Sequence, residues 1–357
     1  MRTGPLTIVA LSLILSAGAA LSQQRHLKVL LLYDMEGVTG ATSYKHTVFA
    51  HKAEYEEGRK SLTADVNAAI AGLKAGGASE IVVVDGHGSG NSAAPDVFED
   101  QLVAPAKMIS RNRSFDIYMD SYDHSFDAVV AVAMHAGAGN EVGFLSHTYT
   151  LEDVQYKVNG IPFNESMILA MGAARFKIPL IMVSGDDQLE KEVRRNLAWV
   201  KYATVKHAVS RSQAELLSRE EASRGIQNAA REAMLALNSA RLPEFAGPYR
   251  FALTFQDEAQ ARNAALHPGA EQLADPAAVQ IRAQDFEEGY RQSLRLISLA
   301  GIVGRAQAAQ AVLNAQPNAA DLRLAVSVWL DERWLNLLPA QPAAAGSPAP
   351  QRYWGAR

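Results

Sequence analysis

Asp34 and Glu36 stand directly after the apolar run Leu27 to Tyr33, in the string Asp-Met-Glu-Gly. In extended backbone, residues two apart point to the same side. The two carboxylates can therefore converge on one point while Gly37 lets the chain turn away. By itself such a pair also serves as a helix cap or a turn. Two further apolar runs end in similar chemistry: Ile81 to Val84 leads into Asp85-Gly86-His87-Gly88-Ser89, and Ala128 to Met134 into His135-Ala136-Gly137. A lone histidine is ordinarily a surface or hydrogen-bonded residue. Three strand ends bearing Asp/Glu, His and His are a stronger signal, because open parallel sheets gather ligands beyond the carboxyl ends of their strands. Carboxylate plus imidazole is a ligand set suited to zinc, and the neighbouring glycines permit close approach of backbone to a bound group. Ser146-His147-Thr148 follows closely enough to return to the same mouth. Glu165 opens the helical stretch Glu165 to Ala174, from which its carboxylate can reach back; an acid in a first turn also favours the helix dipole. Asp85 either orients His87 from behind or shapes the turn.

The elements that must position these groups follow from hydrophobic periodicity. Leu27–Tyr33, Ile81–Val84, Ala128–Met134 and Leu180–Val183 read as buried strands. Glu54–Ala75 reads as a helix with Leu62, Val66, Ala69, Ile70 and Leu73 on one face, ended by Gly76 and Gly77. Strand–helix alternation predicts an α/β fold, a three-layer, largely parallel sheet domain over residues 27–190. Asp186 can cap a helix over Asp187–Lys201, and Ser218 with Glu221 a long helix reaching Leu237. Strands at Tyr249–Phe255 and Ala278–Ala283, a helical Gln256–Leu266 and a helix near Asp285–Ala300 suggest a second, smaller α+β domain over 191–305. A helical C-terminal extension over 306–338 carries Trp329 and Trp334, and a Pro/Ala-rich tail over 339–357 has too few apolar residues to fold.

Composition narrows the function. The 357 residues include 34 Lys plus Arg against 38 Asp plus Glu, a net charge of −4, with no basic stripe. Nucleic acid is therefore not an expected partner. Apolar residues make up 48%, enough for a sizeable core. The chain has no cysteine, which removes disulfides, thiolate nucleophiles, Fe–S clusters and Cys-rich zinc sites together. Any metal must be held by His, Asp and Glu. Arg2, the apolar stretch Leu6 to Leu15 and the small-residue run Ser16 to Ala20 read as a secretory signal peptide over 1–22. The run is marginal in length for a membrane anchor, and no Cys exists to carry a lipid. The expectation is a periplasmic or secreted protein with no stable membrane insertion after cleavage.

Taken together, Asp34-Met35-Glu36-Gly37, Tyr55-Glu56-Glu57-Gly58-Arg59, Asp85-Gly86-His87-Gly88-Ser89, His135, Ser146-His147-Thr148, Asn164-Glu165-Ser166, Gly185-Asp186-Asp187 and Ser210-Arg211-Ser212 resemble the D-aminopeptidase (dipeptide-transport-operon) family of zinc metallopeptidases over roughly Leu27 to Ala300. The resemblance implies that Asp34, Glu36, His87, His135 and Glu165 hold two zinc ions per subunit, with Asp34 bridging, and that His147 is catalytic, as nucleophile, acid/base or donor to the developing oxyanion. It implies hydrolysis of short peptides from the amino terminus with a D-amino-acid preference, and a homo-oligomer, a decameric ring in the family. The export signal, the Trp-bearing extension and the tail fall outside the pattern. Gly86 stands where the family commonly has serine, and Asn164 precedes Glu165 where glycine is common. An L-specific aminopeptidase or other amidohydrolase on the same scaffold, and a periplasmic metal- or peptide-binding protein without turnover, are the alternatives. His26, His46, His51, His124, His207 and His267 are expected to face solvent, with His46 and His51 near enough to the first motif to meet substrate.

Overall fold

The computed structural model describes residues 26–91, 93–109, 116–121, 123–335 and 337. The expected signal peptide and tail lie outside them. The strands and helices run β1 (Lys28–Tyr33), α1 (Lys52–Ala75), β2 (Glu80–Asp85), β3 (Ala106–Met108), β4 (Ala128–Met134), β5 (Asp153–Val158), β6 (Ile161–Pro162), α2 (Glu165–Ala174), β7 (Leu180–Asp186), α3 (Asp187–Asn196), β8 (Lys201–Ser210), β9 (Gln213–Leu216), α4 (Arg219–Leu235), β10 (Tyr249–Phe255), α5 (Glu258–Ala264), β11 (Glu271–Gln272), β12 (Ala278–Ala283), α6 (Phe286–Asn314) and α7 (Ala319–Trp334).

Seven strands form the main sheet in the order β3-β2-β1-β4-β7-β8-β9, parallel throughout except for the β8–β9 hairpin at one edge. β1 lies beside both β2 and β4, so the strand order reverses there and opens a crevice at the carboxyl ends. Its side chains alternate between two cores, which is why the run is apolar at every position. Val29, Leu31 and Tyr33 pack with α1 and α4 through Leu62, Val66, Ile226 and Ala230. Leu30 and Leu32 pack on the other face with Ile168 and Leu169 of α2 and Leu189 and Val193 of α3. The second sheet, β11-β12-β10-β5-β6, is antiparallel and shares this latter core through Tyr156, Phe251 and Leu253, with α6 laid against it through Tyr290 and Leu296.

Most elements expected from the sequence are present, and each of the two sheets draws strands from both sides of residue 190. The division at 190 is not where the sheets separate: β5 and β6 leave the middle of the first stretch to join the small sheet, while β8, β9 and α4 complete the large one. The chain makes an excursion after β4 and returns at α2, and sequence order does not reveal such an exchange. The helix expected to reach Lys201 stops at Asn196, because Lys201 already pairs with Met182. No break occurs at 305, where α6 runs through. The capping box at Ser218 and Glu221 forms as expected.

Candidate metal centre

β1, β2 and β4 end side by side and deliver their terminal groups to the crevice. Asp34 continues the β1 ladder, its N–H donating to Val132 O (2.9 Å), and Gly37 N–H donates to Ala133 O (2.8 Å). The turn after β1 therefore lies against the end of β4. Only glycine fits at position 37, since a Cβ there would stand 1.9 Å from Met134 O. The β4 end is itself distorted: its pairing with β7 slips between Ala131 and Met134, and Ala133 adopts φ +61°. This non-glycine residue in the left-handed region turns His135 into the crevice.

The six chemical groups come together. His87 Nε2 lies 3.2 Å from Glu36 Oε1, and His135 Nε2 lies 3.2 Å from Asp34 Oδ2 and 3.6 Å from Glu165 Oε1. Asp34, Glu36 and His87 form one group whose ligand atoms lie within 4.8 Å of one another; His135, His147 and Glu165 form another. Asp34, near His135 as well, stands between the two. The rings of His135 and His147 stack at 4.0 Å between centroids and 12° between planes. Asp34, Glu36, His87, His135 and Glu165 are buried, while His147 is half-buried at the rim.

Each imidazole has a defined orientation. Nδ1 of His87 faces Asp96 Oδ2 (2.9 Å), Nδ1 of His135 faces Ala136 O (2.9 Å), and Nδ1 of His147 faces Leu145 O (2.8 Å). All three partners are acceptors, so Nδ1 carries the proton and Nε2 points inward. His135 Nε2 has no well-aligned hydrogen bond there, only the two carboxylates. A convergence of imidazole lone pairs and carboxylates offers acceptors and no donors, and it fits divalent cations.

Electrostatics carry the same message. Burial, reinforced by Glu36, pushes Asp34 up to about 8. Burial opposes ionisation of Glu36, yet His87 beside it holds its carboxyl well below the usual range. Burial likewise opposes the charged forms of His87 and His135, but Glu36 and Asp96 lift the one, and Glu165 and Asp34 the other, well above an ordinary imidazole. The pocket demands positive charge, which protons or metal ions can supply. Burial and the neighbouring His135 hold His147 down at about 4.

Surrounding residues give the remaining motifs structural work. Tyr55 and Ser89 donate hydroxyl hydrogen bonds to Asp96, and Arg59 donates to the carbonyls of Pro95, Asp96 and Val97. Asp96, not Asp85, takes the His87 ring; Asp85 instead accepts the backbone N–H groups of His87 and Asp96 (both 3.1 Å). Glu165 begins α2 behind an Asn164 cap. Its Oε2 accepts from Tyr118 OH (2.5 Å) and its Oε1 from Tyr149 N–H (2.6 Å), so it serves the crevice rather than the helix end alone. Arg211, in the β8–β9 turn, donates to Ser146 O (3.0 Å) and its own carbonyl accepts from Leu145 N–H (2.9 Å), bracing the loop of His147. Sequence reasoning missed Asp96 and Tyr118, and also Lys206, whose buried ammonium donates to Glu36 O (2.9 Å). Asp96 carried one available signal, an acidic residue among turn formers soon after His87. None of the other six histidines joins a metal-binding group among the described residues. His26, His124 and His207 are exposed; His46, His51 and His267 are half-buried rather than open to solvent.

Comparison with known proteins agrees with this geometry. A family model described as D-aminopeptidase matches residues 27–294. A D-aminopeptidase of Bacillus subtilis (strain 168) is 29% identical over 276 residues, 77% of this chain and 98% of that protein. The fold is similar to a solved structure of a Zn-dependent D-aminopeptidase from Bacillus subtilis, described as a self-compartmentalizing protease. The TM-score is 0.68 at 27% identity, covering 77% of this chain and 98% of that one.

Proposed function

The chain belongs to the D-aminopeptidase family of peptidases, and on that premise we propose that it is a zinc-dependent aminopeptidase that hydrolyses short peptides, with a preference for a D-residue at the amino terminus. The observation that carries this reading is the convergence of inward-facing imidazole nitrogens and carboxylates in a buried crevice where the strand order reverses. Asp34, Glu36 and His87 would hold one zinc ion and His135 and Glu165 the other, Asp34 lying near enough to both groups to contribute to each. Zinc supplies such a site with Lewis acidity for the scissile carbonyl and with water acidic enough to attack near neutral pH.

The chain's own groups do the rest. His147 keeps its proton on Nδ1, which donates a hydrogen bond to Leu145 O, so its Nε2 is the atom that accepts a proton from attacking water and passes it to the leaving amine. The stack on His135 fixes its plane. Asp96, through His87, and Tyr118, through Glu165, keep those ligands aimed. The apolar start of the sequence supports export to the periplasm or beyond. The kinship with a self-compartmentalizing protease supports assembly of several copies of this chain.

Purified protein is expected to carry two zinc equivalents per chain and to cleave D-Ala p-nitroanilide faster than the L-isomer. Faster cleavage of the L-isomer would make it an L-aminopeptidase. Bound zinc without turnover of any di- or tripeptide would make it a binding protein. Since His147 lies within ligand distance of His135 and Glu165, His147→Ala separates its two possible roles. A catalytic His147 predicts a fall in turnover of roughly 10²–10⁴-fold with both zinc equivalents kept. Loss of one equivalent would make it a ligand.

A further inference from the structure

Lys206 is a fully buried lysine on β8 whose ammonium donates to backbone carbonyls rather than to a carboxylate. The β7–β8 register slips between Gly185 and Asp186, and Val205 and Lys206, successive residues, are both buried as a result. The Lys206 ammonium donates to Glu36 O (2.9 Å) and Ala41 O (3.1 Å) and lies 4.5 Å above the Phe144 ring. Nearby carboxylates are engaged elsewhere. Asp186 accepts from Phe144, Gln188 and Leu189 N–H, and Asp65 accepts from Thr39 N–H.

An apolar side chain of similar length would fill this space without the desolvation that a buried ammonium suffers. The two carbonyls explain the choice. They bracket the turn that follows β1, which has little ladder of its own: Val38 N–H reaches Met35 O at 3.3 Å and Ala41 N–H reaches Val38 O at 3.4 Å, both long. Gly40 sits at φ +90° within it. One end of this turn carries Glu36, whose carboxylate faces His87.

We propose that Lys206 is a positioning residue of the metal centre: by tying together the carbonyls of Glu36 and Ala41, it holds the Glu36 carboxylate at the cation it shares with Asp34 and His87. The role rests on Glu36 being a metal ligand, as in the proposed function. It assigns Lys206 to one half of the centre only, since His135 and Glu165 are held by β4 and α2.

Competitive zinc titration of the full chain against a chromophoric chelator tests this. Wild-type protein should bind two equivalents. Lys206→Met should weaken one of them by about tenfold or more, the usual effect of losing an outer support, and leave the other within about twofold. Lys206→Arg, which keeps charge and N–H donors, should recover much of the loss. Equal weakening of both equivalents, or none, overturns the role while leaving the metal centre intact. A wild-type chain that binds fewer than two equivalents overturns the metal-centre reading and this role with it. If Lys206→Met does not fold, Lys206→Gln and Lys206→Arg are titrated instead. Selective weakening, larger in Gln than in Arg, supports the role, and two unaltered equivalents in both variants overturn it.

Discussion

The imidazoles of the crevice are anchored through Nδ1 and act through Nε2, so the partner of each Nδ1 matters as much as the ring. Asp96 is the side-chain partner among them: its Oδ2 takes the His87 ring while its Oδ1 accepts from Tyr55 and Ser89. Protons and metal ions compete for the inward-facing atoms, which gives a pH test. Asp34 keeps its proton up to about 8, whereas an unfolded carboxyl releases it near 3.8. His87 and His135 are also raised. At these three groups the native, metal-free protein binds more protons than the unfolded chain over that window, so their contribution to stability falls as pH rises; buried Lys206, held down at about 7, pulls the other way but is one group against three. Metal binding displaces those protons and removes the dependence. Thermal melts should show chelator-treated protein losing at least ~1.5 °C in Tm from pH 7 to pH 9, as a loss of about 1 kcal/mol would give in a chain of this length, with the zinc-loaded protein changing less. Parallel curves would contradict this. The groups that converge in the crevice were legible because most of them abut strand ends. Asp96, Tyr118 and Lys206 were not, because each meets its ligand across a long sequence gap with no repeating pattern to mark it.

At the scale of elements, the centre depends on three parallel strands ending at one level and on the turn after β1 pressing against β4. Met134 O is crowded by two glycines, 37 and 185, at which a Cβ would fall 1.9 Å and 2.2 Å away. Gly37→Ala must push the Asp34–Glu36 segment off β4. It should lower kcat/KM by roughly 10²-fold, as a displacement of catalytic groups by about 1 Å does, and lower zinc content with it. Gly225, inside α4, has nothing within 4 Å of its missing Cβ. Gly225→Ala should therefore leave activity alone and raise stability by about 0.5–1 kcal/mol through helix propensity. Activity assays and denaturant melts on the pair check both. Unchanged kinetics in Gly37→Ala would show that the turn has slack. The strands around the centre could be read from their unbroken apolar runs. β8 and β9 were less legible, since a half-exposed edge hairpin mixes charged and apolar residues and Lys206 is buried only through a register slip.

For the whole molecule, the contrast lies between a shared core and an added arm. Residues from Ile302 to Leu335 bury almost nothing, and Ile302, Val312, Trp329 and Trp334 are exposed, the last by 79%. The family match ends at 294, within α6 and ahead of this exposed stretch. A chain ending after Arg305, which still pairs with Glu152, should keep its zinc. Its kcat/KM should stay within about twofold and its stability within ~0.5 kcal/mol, as surface changes do. A large loss of zinc or Tm, read by metal analysis and calorimetry, would show that the arm supports the core. The α/β class, the ends of the strands around the crevice and the candidate ligand types could be read from the residues alone, because burial on both faces and chemistry at strand ends leave local marks. Folding in three dimensions settled which strands are neighbours, that β5 and β6 belong with β10 and β12, that Asp96 meets His87 and that Lys206 meets the Glu36 carbonyl. Pairing and long-range hydrogen bonds join distant parts of the chain, and their energy depends on a geometry that no short stretch of residues encodes.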